Sequence, residues 1–333
     1  MKKMQKFKEI VEANERFVLT THINPDGDGI GSEIGLYFYL KQLGKSVHIL
    51  NASKMPKIYD FLENGFEIHH YSPDEHEQIL KNTQILIALD IGDYSRMGSL
   101  VDLVSTMNLF TVSIDHHPKM RERFDFYLTD TAVSSTAEII FSLFENDSQA
   151  EITREIAEAL YVGIMTDTGR FSYDSTSSET HKIAAALLSC GIEPYSIFNK
   201  VYEQNRRSRI PLLKDFLSNA QFVQNQRVAY SFLTRKMLQN AGAIREDMNG
   251  FIDLLRTVEG VEITVMFTEI DRNATRVNFR SRGKYPVNIL AGKFNGGGHP
   301  NAAGATIEEP MKLAIPTLLL EIEKMLKNNK ENK

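Results

Sequence analysis

The sequence predicts an α/β protein in two domains: a doubly wound, mainly parallel sheet domain, then a smaller α+β domain, with the active site in the cleft between them. Three observations carry this expectation. Short apolar runs alternate with helical periodicity through the first part of the chain, the pattern of a parallel sheet with crossover helices. Several of those runs end directly in Asp or His, where open α/β sheets collect their ligands. From Arg227 onward the pattern changes to paired strands with flanking helices. A chain of 333 residues with 42% hydrophobic content can bury two cores. The expected boundaries are a first domain at 1–194, a linker at 195–214 and a second domain at 215–333, the linker marked by the cluster Arg206, Arg207 and Arg209.

The formal net charge of -5 argues against coating long nucleic acid by bulk electrostatics, but a local basic pocket for a small anion remains open. The single cysteine, Cys190, excludes intrachain disulfides and thiolate metal clusters and fits a reducing cytosol. Residues 1–12 carry an amphipathic helix pattern and lack the apolar centre of a signal peptide. No stretch approaches the roughly 20 apolar residues of a membrane span. The expectation is a cytoplasmic protein.

In chain order, Phe17 to Thr21 reads as a buried strand running into His22-Ile23-Asn24-Pro25-Asp26-Gly27-Asp28-Gly29-Ile30-Gly31-Ser32, a Gly- and Pro-rich turn ahead of a helix at 33–43. Imidazole and carboxylates gathered by such a turn suit a borderline-hard divalent ion, although Asp, Asn and Gly are also ordinary turn residues. Val47 to Leu50 reads as a strand, 58–70 as a helix and strand, and the loop at 71–76 follows His69 and His70, read as surface residues. Gln84 to Leu89 is a strong buried strand ending in Asp90; Asp93 reads as a turn or N-cap residue. Leu109 to Ile114 is another, and it leads into Asp115-His116-His117-Pro118. A helix at 132–144 is introduced by Ser134-Ser135-Thr136, which can cap it or hold a phosphate. A buried helix at 152–164 leads to Asp167, and another spans 178–190. In the second domain the expected elements are a strand at 228–233, helices at 235–241 and 247–258, strands at 261–269 and 275–280, a short helix at 287–294, a Gly-rich loop at 295–305 and a final helix at 311–327.

His22 to Asp28 with Gly31 and Ser32, then Asp90, then Asp115-His116-His117, then Asp167, and finally Gly296-Gly297-Gly298-His299-Pro300 with Gly304 together resemble the DHH phosphoesterase superfamily with its DHH-associated C-terminal domain. The motifs stand in the family's order and span nearly the whole chain. Asp167-Thr168-Gly169-Arg170-Phe171 and Phe279-Arg280-Ser281-Arg282 look most like the bacterial nano-RNase branch, whose members degrade very short RNAs and often dephosphorylate 3'-phosphoadenosine 5'-phosphate.

The resemblance implies two divalent metal ions, usually Mn2+. It implies that His22 and Asp26 hold one ion, that Asp28, His116 and Asp167 hold the other, and that Asp90 bridges them. Two ions roughly 3.5–4 Å apart call for such a shared oxygen ligand. Asp115 would orient its neighbours, and His117 would face the substrate, stabilising the transition state or protonating the leaving oxygen. In the second domain, Gly296, Gly297 and Gly298 would let backbone amides approach an anion, and His299, Arg280 and Arg282 would add charge-assisted bonds, with Ser281 between the two arginines. Alternation along an extended segment puts both guanidinium groups on one face. Arg96, Arg170 and Ser135 are weaker candidates for substrate contact.

The expected partner is a short RNA or small nucleotide rather than a long duplex or a membrane; the oligomeric state is open, a homodimer included. The alternatives are a phosphodiesterase acting on cyclic di-AMP or its linear dinucleotide, and a catalytically silent nucleotide sensor.

Overall fold

Apolar runs of the first half become parallel strands, because each is long enough to cross a sheet and too short to bury a helix, and two short, partly exposed edge strands complete a six-stranded parallel sheet. The strands are β1 (Arg16–Thr20), β2 (Ser46–Asn51), β3 (Ile68–His70), β4 (Ile85–Leu89), β5 (Phe110–Asp115) and β6 (Phe126–Thr129), in the order β3-β2-β1-β4-β5-β6. The helices around them are α1 (Lys2–Glu12), α2 (Gly27–Gln42), α3 (Pro73–Asn82), α4 (Leu100–Thr106), α5 (Thr136–Glu145), α6 (Arg154–Asp167), α7 (Ser178–Ser189) and α8 (Pro194–Tyr202). One face of the sheet packs Phe17, Leu19, Ile85, Ile87 and Val112 against α1, α2, α5 and α6. The other face packs Val18, Leu86 and Ala88 against Leu80 of α3 and Leu100 and Val104 of α4. Both faces are covered, as a doubly wound parallel sheet requires. The computed structural model describes residues 2–107, 109–118 and 123–331. Among these, no helix is long and apolar enough to cross a membrane.

The chain divides between Gln204 and Asn205. The stretch 195–214, expected as a linker, is helical for most of its length. Ile197 and Val201 of α8 join the core of the first unit, and Leu212 and Phe216 of α9 (Arg209–Ser218) join a core of the second. The arginine cluster at 206–209 lies between the end of α8 and the start of α9, at the division of the chain.

The second unit carries a mixed sheet of β7 (Gln221–Val223), β8 (Val228–Leu233), β9 (Ile263–Glu269), β10 (Thr275–Ser281), β11 (Gly297–His299) and β12 (Ala302–Ile307), ordered β11-β12-β10-β9-β8-β7. Only the β8–β9 pairing is parallel. Its remaining helices are α10 (Arg235–Ala241), α11 (Phe251–Arg256), α12 (Val287–Gly292) and α13 (Met311–Glu331). Val277 and Phe279 pack on one face with Val287, Leu290, Leu318 and Ile322. On the opposite face Met266 packs with Phe251, Ile252 and Leu255 of α11.

Three local expectations change. The segment at 71–76 is not all loop: Pro73 starts α3, as its fixed φ allows at a first helical position. The Gly-rich stretch at 295–305 forms the edge pair β11 and β12. Helix α2 begins at Gly27 rather than near Glu33, so Asp28 lies in its first turn and Asp26 is its N-cap, accepting from the amides of Asp28 and Gly29.

Candidate active site

In the first sheet the strand order reverses between β1 and β4, the point where helices lie on opposite faces and a crevice opens beyond the strand ends. His22 follows β1, Asp90 follows β4, and Asp115 closes β5 with His116 and His117 behind it. Asp90 adopts φ +57°, a left-handed conformation that Asp tolerates better than most residues but that still costs energy. Its amide donates to the Ile114 carbonyl at 3.0 Å, which fixes the turn.

Asp28 and Asp167 come from helix ends, and glycines bring those ends together. A Cβ on Gly31 would lie 2.3 Å from the Ala159 carbonyl oxygen of α6, and one on Gly27 2.5 Å from Thr166 Oγ1. Such contacts do not occur, so the α2–α6 approach requires glycine there. The helices run antiparallel, so the first turn of α2, with Asp28, meets the last turn of α6, with Asp167. Gly27 and Gly31, read in sequence as turn residues, thus act in helix packing, while a Cβ on Gly29 would lie 2.5 Å from Thr21 Oγ1.

The ligand-type atoms form three overlapping groups, each within 4.8 Å: His22, Asp26 and Asp90; Asp28, His116 and Asp167; Asp90, His116 and His117. Asp90 belongs to two of them. His22 Nε2 lies 3.6 Å from both Asp26 Oδ2 and Asp90 Oδ2. His116 Nε2 lies 3.2 Å from Asp167 Oδ2 and 3.6 Å from Asp90 Oδ1. His22 Nδ1 bonds the Ile23 carbonyl at 2.9 Å, which assigns the proton to Nδ1 and turns Nε2 toward the carboxylates. His116 Nε2 is buried with no hydrogen-bond partner among the described residues. A buried orphan nitrogen facing carboxylates is what a cation ligand looks like without its ion, and the N/O donor set, with no sulfur, fits a borderline-hard divalent metal.

The electrostatics point the same way. Burial pushes Asp28 well above the usual carboxylate range, and the charges of Asp90, Asp167 and Asp26 push it further. Burial, then Asp90 and Asp26, raise Asp167 to about 8. Asp90 moves in the opposite direction: burial opposes its charge, yet the bonds from His117 and His22 hold it well below the usual range. Burial alone would lower His22, but Asp26 and Asp90 outweigh it and hold it at about 10. His117, bonded through Nδ1 to Asp115 Oδ1 at 2.9 Å and near Asp90 Oδ1 at 3.3 Å, likewise ends at about 10 against the opposing effect of burial. Four carboxylates compete for too little positive charge, a deficit that divalent cations would fill.

Comparison with known proteins decides the family. Residues 16–164 match the DHH family, N-terminal domain, and residues 225–328 match the DHHA1 domain. The chain is 32% identical over 92% of its length to the bifunctional oligoribonuclease and PAP phosphatase NrnA of Thermus thermophilus, covering 89% of that protein. It is 29% identical over 88% of its length to the NrnA of Bacillus subtilis, covering 90% of it. The chain belongs to the DHH family. An exopolyphosphatase-related protein from Bacteroides fragilis superposes with a TM-score of 0.92 at 29% identity, covering 98% of this chain and 97% of that one. DHH phosphoesterases depend on metal ions, in keeping with the donor clusters here.

Two features of this DHH site gave no clear sequence signal. The amides of Thr136 and Ala137, at the start of α5, donate to the two Asp28 oxygens at 2.7 and 2.9 Å, and Thr136 Oγ1 donates to Asp90 Oδ1 at 3.2 Å. The anion at this helix N-terminus is therefore the Asp28 carboxylate, while Ser135 is the N-cap, accepting from the Glu138 amide. Behind His22, the buried Glu33 Oε2 accepts from Asn51 Nδ2 at 2.8 Å, and Asn51 Oδ1 accepts from the Thr21 amide at 2.9 Å. Asp93 accepts from the Ser95 amide at 2.9 Å as the cap of a 3-10 turn. Arg96 lies near enough to His22 for its charge to oppose His22 protonation. Arg170, at φ +64°, places its guanidinium 5.3 Å from the Tyr202 ring centre.

In the DHHA1 domain, Arg280 of β10 and Arg282, just past the strand's end, both reach α11. Arg282 Nη2 donates to the Arg256 carbonyl at 2.6 Å, tying down the end of α11, and Arg280 Nε lies 3.5 Å from Asp253 Oδ1. Ser281 faces the other way, is 2% exposed, and accepts from the Gly283 amide at 3.2 Å. Gly296 is required by packing, since a Cβ there would lie 2.3 Å from the Gly304 carbonyl oxygen; Gly297, with nothing within 4 Å, is open. Gly298, at φ +135°, and His299 are exposed on edge strand β11.

Proposed function

We propose that this DHH protein is a cytosolic, manganese-dependent phosphoesterase that hydrolyses oligoribonucleotides of a few residues from one end to nucleoside 5'-monophosphates. In this reading it also removes the 3'-phosphate of 3'-phosphoadenosine 5'-phosphate. The observation that carries the reading is Asp90 at the sheet's switch point, a member of the His22–Asp26 group that also lies 3.6 Å from His116 Nε2 of the Asp28–Asp167 group. The relatives that match nearly the whole chain and bear the name oligoribonuclease and PAP phosphatase support the substrate class.

His22, Asp26 and Asp90 would hold one ion, and Asp28, His116 and Asp167 the other, with Asp90 common to both. Bound there, the pair supplies positive charge beside the phosphoryl oxygens and lowers the pKa of water at the site. The protein's own groups do the rest. The amides of Thr136 and Ala137 keep Asp28 in place, and the Thr136 hydroxyl does so for Asp90. Asp115 holds His117 through Nδ1, so the proton His117 delivers to a leaving oxygen is carried on Nε2. A pKa of about 10 keeps His117 charged at neutral pH, suited to an acid or a phosphate-binding cation. Arg280, His299 and the backbone around Gly297, where a Cβ would meet nothing within 4 Å, would grip the phosphate end of the substrate.

The test is a manganese-supplemented product assay with an RNA dinucleotide, a long single-stranded RNA, 3'-phosphoadenosine 5'-phosphate, linear and cyclic di-AMP, and pyrophosphate side by side. Fastest loss of the RNA dinucleotide supports the reading. Preference for the long strand, or turnover of pyrophosphate alone, overturns it.

A further inference from the structure

On the DHHA1 sheet, the face that α11 covers over β9 and part of β10 opens into a groove lined by Arg276, Asn278 and Arg280 of β10 and Thr306 of β12. Directly paired residues of antiparallel strands share a face. Arg280 pairs with Ala302, which pairs with His299; Asn278 pairs with Gly304, which pairs with Gly297; Arg276 pairs with Thr306. The proposed phosphate grip of Arg280, Gly297 and His299 is therefore the edge of a longer polar surface. That surface forms the floor of a groove of about 330 Å³, walled by Arg245, Met248 and Ile252 and floored by Arg276, Asn278 and Arg280. The volume is at the low end for a small-ligand site, enough for about one nucleotide.

The charge in this groove is unbalanced. Three arginines line it and no Asp or Glu does. Of the three, Arg280 has an acid beside it, Asp253 Oδ1 at 3.5 Å from its Nε. Among the described residues, Arg245 and Arg276 take part in no ion pair, in a protein whose net charge is -5. Clustered guanidinium groups facing one concavity repel each other unless an anion sits between them. The Arg276 guanidinium is also positioned: it lies across Gly304, where a Cβ would come within 2.7 Å of Nη2. Met248, Ile252 and Met266 give the groove an apolar wall beside its cationic floor, the mixture that a base or sugar with an attached phosphate requires.

Arg276 and Arg280 are four residues apart on one strand, so their Cα atoms are about 13 Å apart. That span is too long for one phosphate and suits two parts of a single ligand. We infer that the groove is a second nucleotide subsite, in which Arg245 and Arg276 bind the phosphate of the nucleotide next to the one gripped by Arg280 and His299, while Asn278 meets its base or sugar. This rests on the short-oligonucleotide reading above.

The inference is tested with the full-length protein and its Arg276→Gln and Arg245→Gln variants. Both side chains are exposed, so folding should be unaffected, and the thermal midpoint checks this. For a 5'-phosphorylated trinucleotide, KM should rise about tenfold with kcat unchanged, the scale of losing a charge-assisted bond. For 3'-phosphoadenosine 5'-phosphate, which cannot reach both subsites, KM should not change. An equal KM rise on both substrates would mean only general electrostatic attraction, and no rise on either would mean an empty groove; both overturn the subsite. If the wild type hydrolyses no RNA, the functional reading fails by itself. Anisotropy with a fluorescent 5'-phosphorylated trinucleotide in chelator then decides the groove, a tenfold loss of affinity in Arg276→Gln sustaining it and equal affinity refuting it.

Discussion

Glu33→Gln tests whether the region behind His22 is as dry as the structure implies. Glu33 is completely buried; one carboxyl oxygen bonds Asn51 and the other, Oε1, has no partner among the described residues. Burial pushes its pKa from 4.5 up to about 8, with the Asn51 bond and the His22 charge offsetting only part. The folded pKa lies above the unfolded one, so the contribution of Glu33 to stability is fully present below about 4.5. It is lost as pH rises, at about 1.4 kcal/mol per pH unit, until the folded pKa near 8 is passed. The whole span amounts to on the order of 5 kcal/mol, an upper figure because local water entry would reduce it. Glutamine keeps the shape and does not titrate. In the chelator-treated protein, urea unfolding of wild type and variant should give similar stability near pH 5, the amide losing about 1 kcal/mol for its own unpaired donor. By pH 9 the variant should be more stable by about 3 kcal/mol or more. A difference that stays flat from pH 5 to 9 would show that Glu33 is ionised and solvated in the folded protein, and the dry-network argument would be wrong.

Asp90→Asn removes the carboxylate proposed as the shared ligand, so kcat should fall at least about a hundredfold and the bound metal measured by elemental analysis should drop. Gly31→Ala places a methyl against the Ala159 carbonyl; thermal unfolding should show a loss of about 1–3 kcal/mol, and metal titration a weaker affinity as Asp28 and Asp167 separate. Adding a divalent ion to chelated protein should raise its stability by about 2.7 kcal/mol at a hundredfold excess over Kd, and no rise in the thermal midpoint would contradict a metal site here.

Much of the catalytic unit was legible because chemistry and strand ends coincide in sequence. Asp90 and Asp115 close apolar runs, so their placement followed from strand length alone, and His22, Asp26 and Asp28 were gathered by one short motif. What could not be read was three-dimensional pairing. Gly27 and Gly31 resemble turn residues, and only the contact of α2 with α6 shows that they admit a second helix. The partnership of Asp28 with the α5 amides joins residues more than a hundred positions apart, and Ser134-Ser135-Thr136 looks the same whether it awaits a phosphate or a carboxylate. In the second unit, Arg280 lies on β10 and Arg282 one residue past its end, and both reach α11. Alternation could not show that Arg282 is taken by the end of α11, nor that the groove continues to Arg276, which stood outside every motif.

The two helix-borne aspartates differ in a way that explains why the site needs its cations. Asp28 sits in the first turn of α2 and receives the first amides of α5; these helix N-termini favour its charge but only partly offset the burial and neighbouring carboxylates that hold its pKa well above the usual range. Asp167 is the last residue of α6, where the helix dipole disfavours an anion, and it faces the charges of Asp90 and Asp26. His116, which burial pulls below its usual pKa, is 3.2 Å away and offers an uncharged nitrogen rather than a counter-ion. A carboxylate raised to about 8 beside a neutral imidazole is a poor ion pair and a good pair of metal ligands. Within the cluster, the group containing Asp28, His116 and Asp167 therefore has the greater shortfall of positive charge, whereas His22 already holds a bound proton between Asp26 and Asp90.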